Sequence, residues 1–356
     1  MPQDMMNLDA VIYATATIVG KKEHEGPLST CFDAYDDSGS GKDSQSDRFG
    51  QDTFEKAEAE MQHRVLAHAL ARAGKIPSEV DLLFAGDLMN QCTSSAYGLL
   101  PFDIPYVGLY GACSTCAEGL LMGASMVTGG LADTVAAVTS SHNAAAERQF
   151  RFPLEYGGQR PPTAQWTVTG AGAFVLGRPS GIPTLSPMAY ITSGMVGIVV
   201  DKGINDANNM GAAMAPSAVS TLCRYFASSK TTPEDYDLIV TGDLGWEGGR
   251  IFRDLMLAEG YDITGQYNDC GMMIFSQNTQ DTHCGGSGCG CSAVVLGGYL
   301  LPKLQSGDIQ KMLFMATGAL MSPDAIKQGR SIPGVAHLLC LESPKMREGG
   351  SHDTAH

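Results

Sequence analysis

The feature that most constrains the fold of this 356-residue chain is that it repeats itself. Glu79-Val-Asp-Leu-Leu-Phe-Ala-Gly-Asp-Leu88 returns as Asp235-Tyr-Asp-Leu-Ile-Val-Thr-Gly-Asp-Leu244, and Pro77 falls on Pro233 in the same register. Each copy follows a segment with helical apolar spacing. In the first these positions are Phe54, Ala57, Met61, Val65, Leu66, Ala69 and Leu70. Each copy reads as a buried strand ending in Gly-Asp-Leu. The next elements repeat too. Gly111-Ala-Cys-Ser-Thr-Cys116 is matched by Gly286-Ser-Gly-Cys-Gly-Cys291, and each leads into a helix rich in small residues. The following strands, Val135 to Thr139 and Met312 to Thr317, are succeeded by Gly172-Ala-Phe-Val-Leu176 and Val335-Ala-His-Leu-Leu339.

Each half therefore reads strand, helix, strand, helix, strand, strand, a pattern that implies parallel strands with right-handed crossovers. Two such halves packed on shared helices predict a five-layer αβαβα sandwich. The expected divisions are a first half over 1–180, a second over 181–345 and a disordered tail over 346–356. Asp9 to Val19 reads as a strand after a frayed start, and the Asp/Ser/Gly-rich stretch 35–50 reads as an exposed loop that could cover an entrance.

The net charge of −15 argues against nucleic acid as a partner. It also means that an anionic ligand must be held by local donors, because the long-range field repels it. Ten cysteines without small-domain pairing, and no secretory leader pattern, read as reduced thiols in a cytoplasmic compartment. No run of about twenty apolar residues is present to span a membrane.

Cys113 carries the first chemical signal. An apolar strand, Pro105 to Leu109, runs into small residues and then a helix, which sets Cys113 at a tight turn near a helix N-terminus. That position depresses a thiol pKa. Its amides, with Ser114, would equally hold a carboxylate. His142 and Asn143 end the next strand, where carboxyl ends of parallel strands face a site. Arg148 and Arg151 follow in a presumed loop, as carboxylate ligands or as ion-pair partners of Glu147 and Glu155. Asp87 and Asp243 close the two symmetry-related strands as helix caps or as a carboxylate pair able to hold Ca²⁺. Asn90, Asn268 and Asp269 lie in neighbouring loops as hydrogen-bond partners. The cysteine spacing does not suit zinc, no phosphate loop or dinucleotide fingerprint occurs, and no cofactor is expected.

An apolar strand ending in Ala-Cys before a helix, in a duplicated chain, is similar to the thiolase-like superfamily of thiolases and ketoacyl synthases. Longer stretches resemble the stage V sporulation protein AD family. They are Ala85 to Gln91, Gly111 to Thr115, Thr139 to Asn143, the specific run Ala146-Glu-Arg-Gln-Phe-Arg-Phe-Pro-Leu-Glu-Tyr-Gly-Gly-Gln159, Met210 to Pro216, Asn268 to Gly271 and Gly285 to Cys289. The resemblance implies that Cys113 occupies the acyl-carrying position. It implies binding of dipicolinic acid (pyridine-2,6-dicarboxylate), free or as its calcium chelate, for uptake into the developing spore. It further implies membrane-protein partners from the same spore operon, a peripheral place at the inner spore membrane, and a homodimer paired through Pro105 to Leu109.

One departure bears on activity. Superfamily enzymes draw a His from the loop that here reads Gly242-Asp-Leu-Gly-Trp-Glu-Gly-Gly249, with no His, and His283 is one residue out of register with the second donor motif. The expectation is a non-catalytic receptor whose ligand set comprises Cys113, Ser114, His142, Asn143, Arg148, Asp87, Asn90, Asn268 and Asp269. The alternative is an acyltransferase using Cys113 with His283.

Overall fold

Both halves build the same five-stranded sheet, in a computed structural model that describes residues 5–37, 47–150, 160–181 and 185–350. The first half contributes β1 (Met5–Val19), β2 (Leu82–Gly86), β3 (Tyr106–Gly108), β4 (Thr134–Ser141) and β5 (Gly170–Gly177), in the spatial order β1-β5-β4-β2-β3. The second contributes β6 (Ala189–Met195), β7 (Leu238–Thr241), β8 (Tyr267–Asp269), β9 (Lys311–Ala319) and β10 (Gly334–Glu342), in the matching order β6-β10-β9-β7-β8. Antiparallel pairing of β1 with β6 joins the two sheets at the centre.

The strands are not all parallel. β5 and β10 run against their neighbours, because no helix long enough to cross the sheet precedes them and the chain turns back instead.

Three apolar clusters define the layers. On the outer face of the first sheet, α1 (Phe54–Ala73) lays Met61, Val65, Leu66 and Leu70 against Val138 and Val175. This helix starts at Thr53, whose side chain accepts from the Lys56 N–H, and stops at Gly74 with φ +62°. Between the sheets lie α3 (Thr115–Thr128) and α7 (Cys289–Val295), which bury Leu120, Leu121, Val294 and Val295. On the far face, α5 (Met210–Ser229) and α6 (Gly245–Ala258) pack Leu222, Phe226 and Phe252 onto Leu313 and Leu338. Full burial of each such side chain stabilises by roughly 1.5–3 kcal/mol. The remaining helices used below are α2 (Thr93–Leu99), α4 (Asn143–Phe150) and α8 (Pro344–Gly350).

β1 serves two of these layers. Ala10 and Ile12 face the central layer, whereas Ala14, Ala16 and Ile18 face α1. The switch follows from a register shift between Ile12 and Ala14, since one extra residue turns every later side chain to the opposite face.

Three segments depart from expectation. β1 begins at Met5 rather than Asp9, because Met5 to Asn7 pair with Met195 to Ser193 of β6. The ends of the 35–50 stretch are exposed at Tyr35, Asp37 and Gly50 yet anchored at Phe49, which is 1% exposed, its N–H donating to Asp36 and its carbonyl accepting from Arg64, while 38–46 lie outside the described residues. The tail over 346–356 starts within α8, and 351–356 lie outside the described residues.

The halves meet closely where β9 passes the Cys113 turn. A Cβ on Gly318 would stand 2.2 Å from the Gly111 carbonyl oxygen, which is backbone and cannot swing away. Gly318→Ala is therefore expected to destabilise the fold by about 1–3 kcal/mol, read as a lower urea midpoint. An unchanged midpoint would mean that the seam is loose.

Candidate functional site

The Cys113 turn, Ala112 to Ser114, links β3 to α3. Ala112 sits at φ +52°, a left-handed conformation that costs a non-glycine residue on the order of 1 kcal/mol. Local bonds hold it there. Ser114 Oγ donates to the Gly111 carbonyl at 2.7 Å, Thr115 Oγ1 donates to the Ala112 carbonyl at 2.7 Å, and the Ser114 N–H donates to the Gly111 carbonyl at 3.1 Å. Ser114, expected to contact a ligand, is thus fully buried and engaged within its own turn.

What faces the Cys113 sulfur comes from the second half. Asp243, just past the end of β7, is fully buried and stands beside the thiol. The Ser287 hydroxyl and the Gly288 N–H also reach the sulfur. Asp243 is itself held by the Gly288 N–H at 2.8 Å, Thr317 Oγ1 at 3.0 Å and Ser287 Oγ at 3.2 Å. Burial, opposed by these donors, pushes its carboxyl up to about 7.

Burial first, and then the neighbouring Asp243, push the Cys113 thiol well above its ordinary value. The helix-terminus effect expected from the sequence is outweighed. A desolvated thiolate beside a carboxyl is the disfavoured species.

The cavity that reaches Cys113 is narrow, with about 40 Å³ open to the centres of water molecules. Its described lining includes Leu88, Tyr110, Phe150, Met210 and Met321, with Glu147 and no basic side chain.

His142 and Asn143 do not join this cavity. They line a second one of about 390 Å³, with Lys21, Lys22, Asp47, Phe54 and Trp166. α4 is the wall between the two: Asn143 and Ala144 face the second cavity, whereas Ala146, Glu147 and Phe150 face the first. His142 is 1% exposed, and burial lowers its pKa to about 4. The ring is therefore neutral, its Nε2 lies 2.9 Å from the Asp47 carbonyl and its Nδ1 has no partner among the described residues.

The other expected ligands are dispersed. Arg148 lies on α4 rather than in a loop and pairs with Glu55; Arg151 and Glu155 fall outside the described residues. Asp87 is fully buried and closes its own loop, taking the Met89 N–H at 2.8 Å, the Ser95 N–H at 2.8 Å and Ser95 Oγ at 2.6 Å. Asn90 sits on the following turn, its N–H donating to Gln149 and its carbonyl accepting from Thr93. Asn268 caps the Asp269 N–H and lines a separate groove with Leu28 and Tyr299. Asp269 accepts from Thr241 Oγ1 at 2.6 Å and from the Leu244, Gly245 and Met272 N–H groups. His283 bonds the Pro161 carbonyl at 2.8 Å and pairs with Asp281 at 3.1 Å, away from the lining of the Cys113 cavity. Among the described residues no group of His, Cys, Asp or Glu is arranged to hold a metal ion, Asp87 and Asp243 included.

The linkage of Asp243 to stability has a definite sign. Its folded value near 7 lies above the ordinary 3.8, so its contribution is complete below about pH 4 and is lost as pH rises to about 7. Asp243→Asn should flatten urea stability over that window and speed alkylation of Cys113, read by peptide mass spectrometry. An unchanged slope and rate would remove the carboxyl from the thiol's environment.

The stage V sporulation protein AD family model matches residues 4–342. A Bacillus subtilis (strain 168) protein of that name is 40% identical over 341 residues, covering 96% of this chain and 95% of its own length. Among solved structures, Xanthomonas campestris OleA superposes with a TM-score of 0.57 at 14% identity, over 95% of this chain and 99% of that one. The 3-oxoacyl-[acyl-carrier-protein] synthase III of Aquifex aeolicus gives 0.53 at 11% identity, over 94% and 99%. These structural likenesses establish the fold, a thiolase-like αβαβα sandwich.

Proposed function

Because this chain belongs to the stage V sporulation protein AD family, we propose that it is a receptor for dipicolinate in spore formation and has lost the condensing chemistry of its fold. The observation that carries the second half of this reading is the Asp243 carboxyl on the Cys113 thiol. Condensation needs a thiolate and two donors aimed at a developing oxyanion. Here the second half supplies an acid that keeps the sulfur protonated and that, once ionised, repels an oxyanion. His283 is engaged elsewhere, with the Pro161 carbonyl and the Asp281 side chain. The narrow cavity leaves room for roughly three waters, too little for an acyl chain.

The first half of the reading rests on family membership and on the resemblance of the run 146–159. No described helix is long and apolar enough to cross a membrane. We place the protein peripherally at the inner spore membrane, held by membrane partners encoded with it. A homodimer fits the same reading: β3 is an outer strand of the sheet, Tyr106 and Val107 on it are 39% and 40% exposed, and Tyr97 and Leu100, which precede it in the chain, are each 73% exposed. A second copy pairing on that edge would cover both the open strand and the apolar side chains.

Two measurements separate receptor from enzyme. Calorimetric titration with dipicolinate is expected to show saturable heat, and incubation with acyl-CoA is expected to leave the intact mass unchanged. An acyl adduct on Cys113 would establish the enzyme instead, and an absence of heat would remove the receptor. For the dimer, sedimentation should give twice the chain mass for the wild type and the monomer mass for Leu100→Glu; a monomeric wild type would contradict the pairing.

A further inference from the structure

We propose that Glu58 and Asp87 share one proton, and that this proton latches α2 onto the first sheet, so that α2 loosens as pH rises. The latch acts whether or not the chain is a receptor.

The two carboxyls stand at opposite ends of one buried hydrogen-bond chain. Glu58 and Gln62 come from α1, Ser140 from β4 and Ser95 from α2, while Asp87 follows β2; each is at most 1% exposed. Gln62 Nε2 donates to Ser140 Oγ at 2.7 Å and to Ser95 Oγ at 2.8 Å. That engages both hydrogens of the amide. Each hydroxyl donates onward, Ser140 to Glu58 Oε1 at 2.8 Å and Ser95 to Asp87 Oδ2 at 2.6 Å. The Ser95 and Met89 N–H groups also donate to Asp87, each at 2.8 Å.

Among the described residues no cation acts on either carboxyl. The basic groups of α1 are turned elsewhere, Lys56 to Asp52, Arg64 to Glu60 and Arg72 to Asp33, and Arg148 of α4 pairs with Glu55. The titratable groups near the pair are Cys92, Tyr106, Tyr110 and Cys289, and burial shifts each toward its neutral form. Two neighbouring carboxyls in a dry interior without a cation do not both ionise. Burial, and then the charge of Asp87, push Glu58 up to about 8 against the Ser140 hydroxyl, and burial raises Asp87 as well. The folded value of Glu58 lies above the ordinary 4.5, so the latch is complete below about pH 4.5 and is lost as pH rises to about 8.

The element that yields is α2. It has 7 residues against the 20 of α1, and it exposes Tyr97 at 73%. Gln91 and Cys92 lead into it at φ +56° and +51°. Left-handed backbone at two successive non-glycine residues is strained, and the bonds from Ser95 to Asp87 hold it in place. Leu88, between Asp87 and Met89, lines the Cys113 cavity, so the same latch steadies that wall.

The test is hydrogen exchange read by mass spectrometry on the full chain at about pH 5.5 and about pH 7.5, with rates corrected for the intrinsic effect of pH on amides. In the wild type, the peptide over 88–100 should lose at least about tenfold of its protection between the two, since one proton contributes up to about tenfold per pH unit. The α5 peptide should not follow it. Glu58→Gln, an uncharged side chain of the same shape, should abolish the loss, and Asp243→Asn should leave it in place. Asp87→Asn is the second variant, and melting curves confirm that each is folded. Wild-type protection over 88–100 that is flat with pH, a loss shared equally by α5, a loss removed by Asp243→Asn, or one that persists in both Glu58→Gln and Asp87→Asn overturns the latch.

Discussion

The Cys113 thiol and the Asp243 carboxyl meet across the seam between two copies of one folding unit, and the character of the site follows from how tightly that seam is closed. Gly318 lets β9 pass against the Gly111 carbonyl, which presses the second half onto the Cys113 turn. At that separation the sulfur is buried, and the neighbour that acts on it most strongly is an acid. Desolvation and the acid both favour the thiol. The turn keeps the strained backbone associated with a reactive residue at Ala112, yet its surroundings work against reactivity.

The repeat-related aspartates show how the two halves diverged in use. Asp87 turns inward on its own half, binding Met89 and Ser95. Asp243 reaches the Ser287–Gly288 corner, Thr317 and the first half's thiol. The two strands end alike in sequence, but only one ends at the seam. In this chain that position is filled by a carboxyl that favours the protonated sulfur.

Most of the fold was legible because the repeat fixes order as well as type: the paired Gly-Asp-Leu strands and Cys-bearing turns occupy equivalent places in the two sheets. What stayed hidden depends on packing. The bulge after Ile12 that lets β1 serve two layers leaves no mark in an unbroken apolar run. His142 and Asn143 lie at a strand's carboxyl end, as the sequence predicts, but α4 starts there and its two faces belong to different cavities, so nearness in sequence to Glu147 and Phe150 does not mean a shared site. For Asp243 the sequence predicts a cap or a Ca²⁺-holding carboxylate pair, since spacing identifies the end of a strand and not what stands opposite. Lys21 and Lys22, a basic pair directly after β1, line the same cavity as His142.

The central claim is that Cys113 is held as a thiol. Its most direct test is the ultraviolet absorbance of thiolate followed against pH, taken as the difference between wild type and Cys113→Ser. The account requires no thiolate from Cys113 below about pH 9, the ordinary value for the group. A titration step for this residue below about pH 8 would show a poised nucleophile and contradict the account.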